Sequence, residues 1–333
     1  MKALVYTQPH EVQLQDRPLP QAAAGEVVLK IEAVGICGSD LHAWHGHDPR
    51  RKPGLVLGHE FVGTIAESAA SGFAVGARYT GNPLITCGVC EYCVQGRNNL
   101  CAHRTMVGMT RPGAFAEYMS IPAASLIAMP QDLSARTAAL TEPAATAWHA
   151  LNLTTRHLVR PLHECRVLVI GGGAIGMLTA LLLRHLGVHR VTLAELNPLR
   201  RAAVEQHAHC QTVDPRATPL AESSFEVVID AVGAKPTRTQ ALAAVKPGGT
   251  IMHVGLQDWA SEIDMRKLTL AEITLLGTYT YTTSDLRATV AALADGVFGD
   301  LSWVQERSLV EGQQAFLDLD TGTCAAAKIL LRP

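Results

Sequence analysis

Apolar positions up to about residue 140 fall in short runs broken by Gly and Pro: KALVYT at 2–7, EVVLKIEAVG at 26–35, FVGTIAES at 61–68 and AEYMSIP at 116–122. Runs of this length, rich in β-branched residues and bounded by turn formers, predict strands and an irregular, mainly β region. From about 145 the rhythm changes. RVLVIG at 166–171 is followed by a helix-period AIGMLTALLLRHLG at 174–187, then RVTLAEL at 190–196, LRRAAVEQHA at 199–208 and QTVD at 211–214. FEVVIDAVG at 225–233, a helical TRTQALAAV at 237–245, GGTIMHVGL at 248–256 and EITLLGTYTY at 272–281 continue it. Six strands spaced by helices, with little polar alternation, predict an α/β doubly wound parallel sheet covered on both faces. The chain then returns through a helical stretch at 285–296 and a loop to AAKILL at 326–331, a strand expected to join the first region's sheet. The expected division is therefore 1–144, 145–280, and 281–333 completing the first domain.

Length and charge narrow the possible partners. A chain of 333 residues suggests about two domains at ~150 residues each. The net charge of −2 and pI near 6.7 supply no general attraction to nucleic acid or an anionic membrane. Small neutral or mildly charged molecules fit better. The opening MKALVYTQPHEVQLQDRP reaches polar and acidic residues too early for a signal peptide, so a cytoplasmic location with reduced thiols is expected. The longest uncharged run, 167–183, holds three consecutive glycines and reads as strand, turn and helix instead of a membrane span.

Gly171, Gly173 and Gly176 form G-x-G-x-x-G between a predicted strand and a predicted helix. In that setting glycines let a pyrophosphate approach the backbone, and the helix N-terminus offers N–H groups and a favourable dipole. Glu195, 19 residues after Gly176 at the end of the next strand, suits ribose hydroxyls and repels a 2′-phosphate. This favours NAD. Arg200 and Arg201 follow closely and leave NADP open.

Cys87, Cys90, Cys93 and Cys101 have the spacing C-x2-C-x2-C-x7-C. Four soft ligands in one loop can close a tetrahedron around a structural zinc ion, and an iron–sulfur cluster is the alternative. A closed four-thiolate site has no position for substrate. Cys37, His59, Glu60 and Glu142 are scattered, and each alone reads as a buried thiol, a loop histidine or a surface carboxylate. Together they suit a catalytic zinc that keeps an open position.

The motifs GICGSDLHAW, PGLVLGHEFVG, the four-cysteine loop, EPAATAWHA, VIGGGAIG, VTLAELNPLR and AAKILL occur in one order along the whole chain. In this order they resemble the zinc-containing medium-chain alcohol dehydrogenases, particularly the sorbitol, L-idonate and L-threonine dehydrogenase branch. The resemblance implies a GroES-like catalytic domain beside a Rossmann domain, two zinc ions per chain, NAD, and transfer of hydride from a secondary alcohol of a polyol, sugar acid or similar metabolite. It implies Cys37, His59 and Glu60 as catalytic zinc ligands, with Glu142 near the ion directly or through water. Ser39 and His42 become the proton relay, and Asp40 and Lys328 supports behind the ligands. Gly171, Gly173, Ile175, Gly176, Glu195, Arg200, Val254, Gly255, Leu256, Thr278 and Tyr279 would hold the dinucleotide, and Trp44 and Tyr281 would meet substrate.

Two departures argue against sorbitol itself. Ala43 stands where the animal enzymes have Tyr, and Thr280 precedes Tyr281 where they have Arg. His45 and His47 read as a solvated loop, and Arg111 faces either a carboxylate or water. A threonine-type or simple alcohol dehydrogenase is the alternative within the family, and a homodimer or homotetramer is expected. A non-enzymatic zinc and nucleotide binder is the alternative of another class. Missing relay or ligand residues would favour it, and none is missing.

Overall fold

The computed structural model describes residues 1–333 and divides them into two units. The first comprises Met1–Glu142, Thr282–Asp295 and Val304–Pro333, and the second Pro143–Tyr281 and Gly296–Trp303. The return segment expected over 281–333 is thus interrupted. Phe298, Leu301 and Trp303 are buried there and group with the second unit.

In the first unit the strands Val304–Ser308, Lys328–Arg332, Glu26–Gly35, Glu60–Ser68, Arg78–Gly81 and Leu126–Ala128 lie side by side in that order. Tyr118–Pro122 also pairs with Glu26–Gly35. The long strand Glu26–Gly35 buries Val27, Leu29, Ile31 and Val34 in a core that includes Leu4, Phe61, Ile65, Phe115 and Phe316. The terminal strand Lys328–Arg332 runs antiparallel to it, placing Leu330 opposite Gly35. That register brings Lys328 close to the end of the Glu26–Gly35 strand, where the chain turns toward Cys37.

The second unit is a six-stranded sheet, all of whose pairs are parallel. Its order is Gln211–Val213, Val191–Ala194, Val167–Ile170, Phe225–Asp230, Val245–His253 and Thr274–Gly277. Counted along the chain this is third, second, first, fourth, fifth, sixth, the Rossmann arrangement. The strand order reverses beside Val167–Ile170, and the carboxyl end of that strand is where such sheets take ligands. The helix Ala174–His185 buries every residue from Gly176 to Leu183, which is why its sequence is apolar on all sides.

Two expectations are corrected. The sixth strand of this sheet ends at Gly277, and Thr280, with φ +47°, is incompatible with the expected extension to 281. Residues 135–155, given no element from the pattern, form the helices Ala135–Ala139 and Thr141–Thr155. Ser134 caps the first through its side chain, and the alanine-rich second has no clean polar face to reveal it.

The glycines of the turn after Val167–Ile170 have unequal duties. Gly171 has φ +99°, and a Cβ on Gly176 would collide with the Gly171 carbonyl, whereas nothing lies within 4 Å of a Cβ placed on Gly173. Gly176→Ala should cost about 1–3 kcal/mol through overpacking, while Gly173→Ala should change stability by less than roughly 0.5 kcal/mol. Urea denaturation of both variants checks this, and equal losses would contradict it.

Candidate functional site

Cys37 caps the start of the helix Gly38–Trp44, and its backbone N–H donates to Asp40 Oδ2 at 3.0 Å. The other Asp40 oxygen stands 3.5 Å from His59 Nδ1. A carboxylate behind one ring nitrogen directs the other nitrogen outward. Glu60 follows as the first residue of the strand Glu60–Ser68. Donor atoms of Cys37, His59 and Glu60 all lie within 4.8 Å of one another.

Glu60 is fixed from behind. Lys328 Nζ donates to both of its carboxylate oxygens at 2.7 Å and to the Ile36 carbonyl at 2.7 Å. Its oxygen Oε2 presses against Gly35 so closely that a Cβ there would overlap it. Burial opposes the charge on Lys328, but Glu60 and Cys37 outweigh it and raise the ammonium pKa. Burial likewise opposes a charge on His59, yet Asp40 and Cys37 hold its pKa well above the ordinary value of 6.5. One thiol, one imidazole and one carboxylate converging on a point fit a zinc ion with its fourth position open. Glu142 is buried and its charge reaches Lys328, but it stands outside this three-residue group.

The four-cysteine loop fits a second ion. Sulfur separations are 4.0 Å for Cys87–Cys93, 3.5 Å for Cys90–Cys93 and 3.6 Å for Cys87–Cys101. A tetrahedron with zinc–sulfur bonds of about 2.3 Å has edges of roughly 3.8 Å, so the cage is sized for a single ion. All eight cysteines are free of disulfides. Backbone N–H groups of Val89 and Cys90 pull the Cys87 thiol down to about 6 and favour its thiolate, whereas burial and the Cys90 thiol push Cys93 up to about 11. The loop is also clasped to the helix Thr283–Ala294: Asn98 Nδ2 donates to Thr283 Oγ1 at 2.9 Å, and Thr283 N–H donates to Asn98 Oδ1 at 3.1 Å.

Ser39 and His42 occupy the helix that follows Cys37. The Ser39 hydroxyl accepts a hydrogen bond from Arg51 at 3.2 Å, and His42 is half-buried. Burial first, then the charges of His47, His45 and Arg51, hold the His42 pKa below its ordinary value. Several expectations need correction. His45 is not simply solvated: it pairs with Asp320 at 2.8 Å, while His47 is exposed. Arg111 faces a carboxylate of the chain itself, donating to Glu26 at 3.0 Å and to the Ser120 carbonyl and hydroxyl at 3.2 Å. Trp44 and Tyr281 are 2% and 0% exposed. Trp44 packs against His10 and Phe316, and its buried indole N–H has no partner.

In the second unit Glu195 binds the turn it was expected to serve. Its carboxylate accepts from Gly172 N–H at 2.6 Å and from Asn197 N–H at 2.7 Å. Lone pairs remain for ribose hydroxyls. Gly173 is open to an approaching group, and Ile175 lies in the first turn of the helix beside it. Arg201 is engaged with the Glu195 and Leu196 carbonyls and with Asp214, which also binds Arg216. Arg200 is half-buried at the start of the helix Pro198–Ala208. The N–H groups of Val254 and Gly255 donate to the Asp230 carbonyl, and Leu256 is exposed. Thr278 N–H donates to the His253 carbonyl, while its buried hydroxyl has no partner. Tyr279 follows on the same segment. An open glycine, an available carboxylate and an orphaned hydroxyl fit a dinucleotide.

Family models for the alcohol dehydrogenase GroES-like domain and for zinc-binding dehydrogenases match residues 23–131 and 174–295. An L-threonine 3-dehydrogenase of Chelativorans sp. (strain BNC1) is 33% identical over 293 residues, which are 84% of this chain and 83% of that protein. The chain belongs to the zinc-containing medium-chain alcohol dehydrogenases. Solved structures agree. A zinc-binding dehydrogenase from Sinorhizobium meliloti 1021 bound to NADP superposes with a TM-score of 0.86 at 31% identity, covering 100% of this chain and 99% of that one. L-idonate 5-dehydrogenase from Escherichia coli K-12 gives 0.89 at 25% identity, covering 100% and 98%.

This medium-chain dehydrogenase is accordingly an oxidoreductase of the zinc-dependent alcohol and polyol class, acting with NAD or NADP on a small molecule. No helix in it is long and apolar enough to cross a membrane. Sequence reasoning passed over Arg51 and Asn98. Arg51 sits in a basic Arg50-Arg51-Lys52 run that reads as solvated, and nothing local marks Asn98 as a clasp. Lys328→Met should cost about 3–5 kcal/mol, since it leaves the Glu60 carboxylate buried without its partner. Adding Glu60→Gln should recover much of that loss. A single-variant cost below about 1 kcal/mol in denaturant titrations would show that the pair is not the fastening described.

Proposed function

We propose that this dehydrogenase oxidises a secondary alcohol of a polyol, sugar acid or related small hydroxylated metabolite to a ketone with NAD. The observation that carries the reading is the convergence of Cys37, His59 and Glu60 within 4.8 Å beside the Ser39 hydroxyl's helix. Cys37, His59 and Glu60 would hold the catalytic zinc, with Glu142 reaching it through water. Cys87, Cys90, Cys93 and Cys101 would hold the structural one. When bound, the metal would polarise the alcohol oxygen and NAD would accept the hydride.

The chain's own work is orientation and proton removal. Ser39 takes the alcohol proton while releasing its own toward His42, and His42 passes that proton to solvent, a task suited to an imidazole that sheds its charge easily. Gly171, Gly173, Ile175 and Gly176 cradle the dinucleotide pyrophosphate, and Glu195 reads the adenosine ribose. Val254, Gly255, Leu256, Thr278 and Tyr279 line its nicotinamide half. NAD is preferred because Glu195 repels a 2′-phosphate and Arg201 is already held by Asp214. A second reading, oxidation of a β-hydroxy amino acid, is supported by the threonine dehydrogenases among the relatives.

The enzyme is proposed to work in the cytoplasm as a homodimer or homotetramer. Trp259, Met265, Leu270 and Leu275 are exposed on and around the sheet-edge strand Thr274–Gly277, an apolar surface suited to a second copy. Light scattering that finds only monomer would overturn this.

Turnover across polyols, sugar acids, β-hydroxy amino acids and simple alcohols, each with NAD and with NADP, tests the main reading. The expected result is NADH formation with one of the first two classes and loss of activity in Cys37→Ser, which should keep its fold and one equivalent of zinc. Best turnover with threonine would select the second reading, and a preference for NADP would remove the argument from Glu195. Full activity in Cys37→Ser would refute the catalytic metal centre.

A further inference from the structure

Arg51 is a buried guanidinium in a loop whose neighbours are exposed. Its side chain is 1% exposed, whereas that of adjacent Arg50 is 60% exposed and pairs with Asp48 at the surface. Arg51 Nε donates to the Gly108 carbonyl at 3.0 Å, and one terminal nitrogen donates to Asp48 Oδ2 at 3.1 Å and to the Ser39 carbonyl at 2.8 Å. The other terminal nitrogen donates to the Ser39 hydroxyl at 3.2 Å. Two parallel prongs of one planar group therefore grip both the backbone and the side-chain oxygen of a single serine. Such a grip suits the fixed fork of arginine and not the single ammonium of lysine.

From this geometry we infer that Arg51 is a positioning residue for the proton relay, one that sets the direction in which the Ser39 hydroxyl works. The inference rests on the reading of Ser39 as the first relay group. A serine hydroxyl has one O–H and two lone pairs and otherwise rotates freely. With one lone pair committed to Arg51, a single lone pair is left to receive the proton of the substrate alcohol. The hydroxyl's own hydrogen then has only the onward acceptor to go to. In the step, the alcohol O–H bond breaks to leave an alkoxide as a new Ser39 O–H forms, and the old Ser39 O–H breaks with its proton passing on toward His42, so Ser39 ends neutral with its hydrogen replaced. The adjacent positive charge also stabilises negative charge passing through that oxygen, and it is in place before the reaction begins.

A purely structural role predicts something different. Through Gly108 and Asp48, Arg51 also fastens two loops, so its loss could act on stability alone. Arg51→Lys keeps the charge near Asp48 while losing the two-pronged grip, and is the variant expected to fold. Measured with the best alcohol from the substrate panel, it should retain its melting temperature within a few degrees and its zinc content. Its kcat should fall about 10- to 100-fold with KM changed less than about threefold, and the solvent deuterium isotope effect on kcat should rise. In a Ser39→Ala background, Arg51→Lys should have no further effect on kcat, and guanidinium chloride should partly restore Arg51→Ala but not Ser39→Ala. Equal falls in kcat with and without Ser39, or an unchanged isotope effect, would overturn the inference. Full turnover in Ser39→Ala would instead overturn the relay reading on which it rests.

Discussion

The catalytic unit depends on one buried charge pair. Lys328 and Glu60 are both removed from water, and desolvating either alone costs several kcal/mol, repaid only when their geometry and remaining hydrogen bonds are good. Here the ammonium meets both carboxylate oxygens and the Ile36 carbonyl, so three segments distant in sequence are held to one point. The terminal strand, the turn into Cys37 and the start of the Glu60–Ser68 strand cannot shift independently. Gly35 belongs to the same constraint, because only a residue without a side chain leaves room for the carboxylate.

Around that point the polar groups are stacked in layers. Asp40 holds Cys37 through its backbone and stands behind His59, while Arg51 holds Ser39 on the same short helix. Cys37, His59 and Glu60 are thus fixed by side chains that stand outside their own three-residue group. The four-cysteine loop is built differently. Its donors are neighbours in sequence, its order comes from its own turns, and its link to the rest of the unit is the pair of hydrogen bonds between Asn98 and Thr283.

This difference explains what could be read from the residues alone. The six-stranded sheet was legible because fully buried parallel strands and their crossover helices leave long apolar signatures, and the glycine turn because its backbone conformations demand glycine. The four cysteines were legible because their spacing is itself the geometry. Cys37, His59 and Glu60 were reachable only through family resemblance, since nothing in local spacing links residue 37 to residue 59. Arg51 was hidden for a physical reason: a buried arginine next to an exposed one has the same local pattern as a solvated basic run. The helices over 135–155 escaped because alanine packs on any face, and the early end of the sixth parallel strand because a left-handed threonine has no sequence signature.

The separation of Glu60 and Lys328 along the chain has a consequence in time. The two are 268 residues apart, and at about 5–20 residues per second of synthesis the carboxylate waits roughly 13 to 54 seconds for its lysine. The entire cofactor sheet is made in that interval. The four-cysteine loop closes over only 14 residues between Cys87 and Cys101, so its donors are all present on the ribosome long before residue 328 exists. The four-cysteine cage can therefore be assembled from neighbours alone, whereas Glu60 is fastened only once Lys328 has been made.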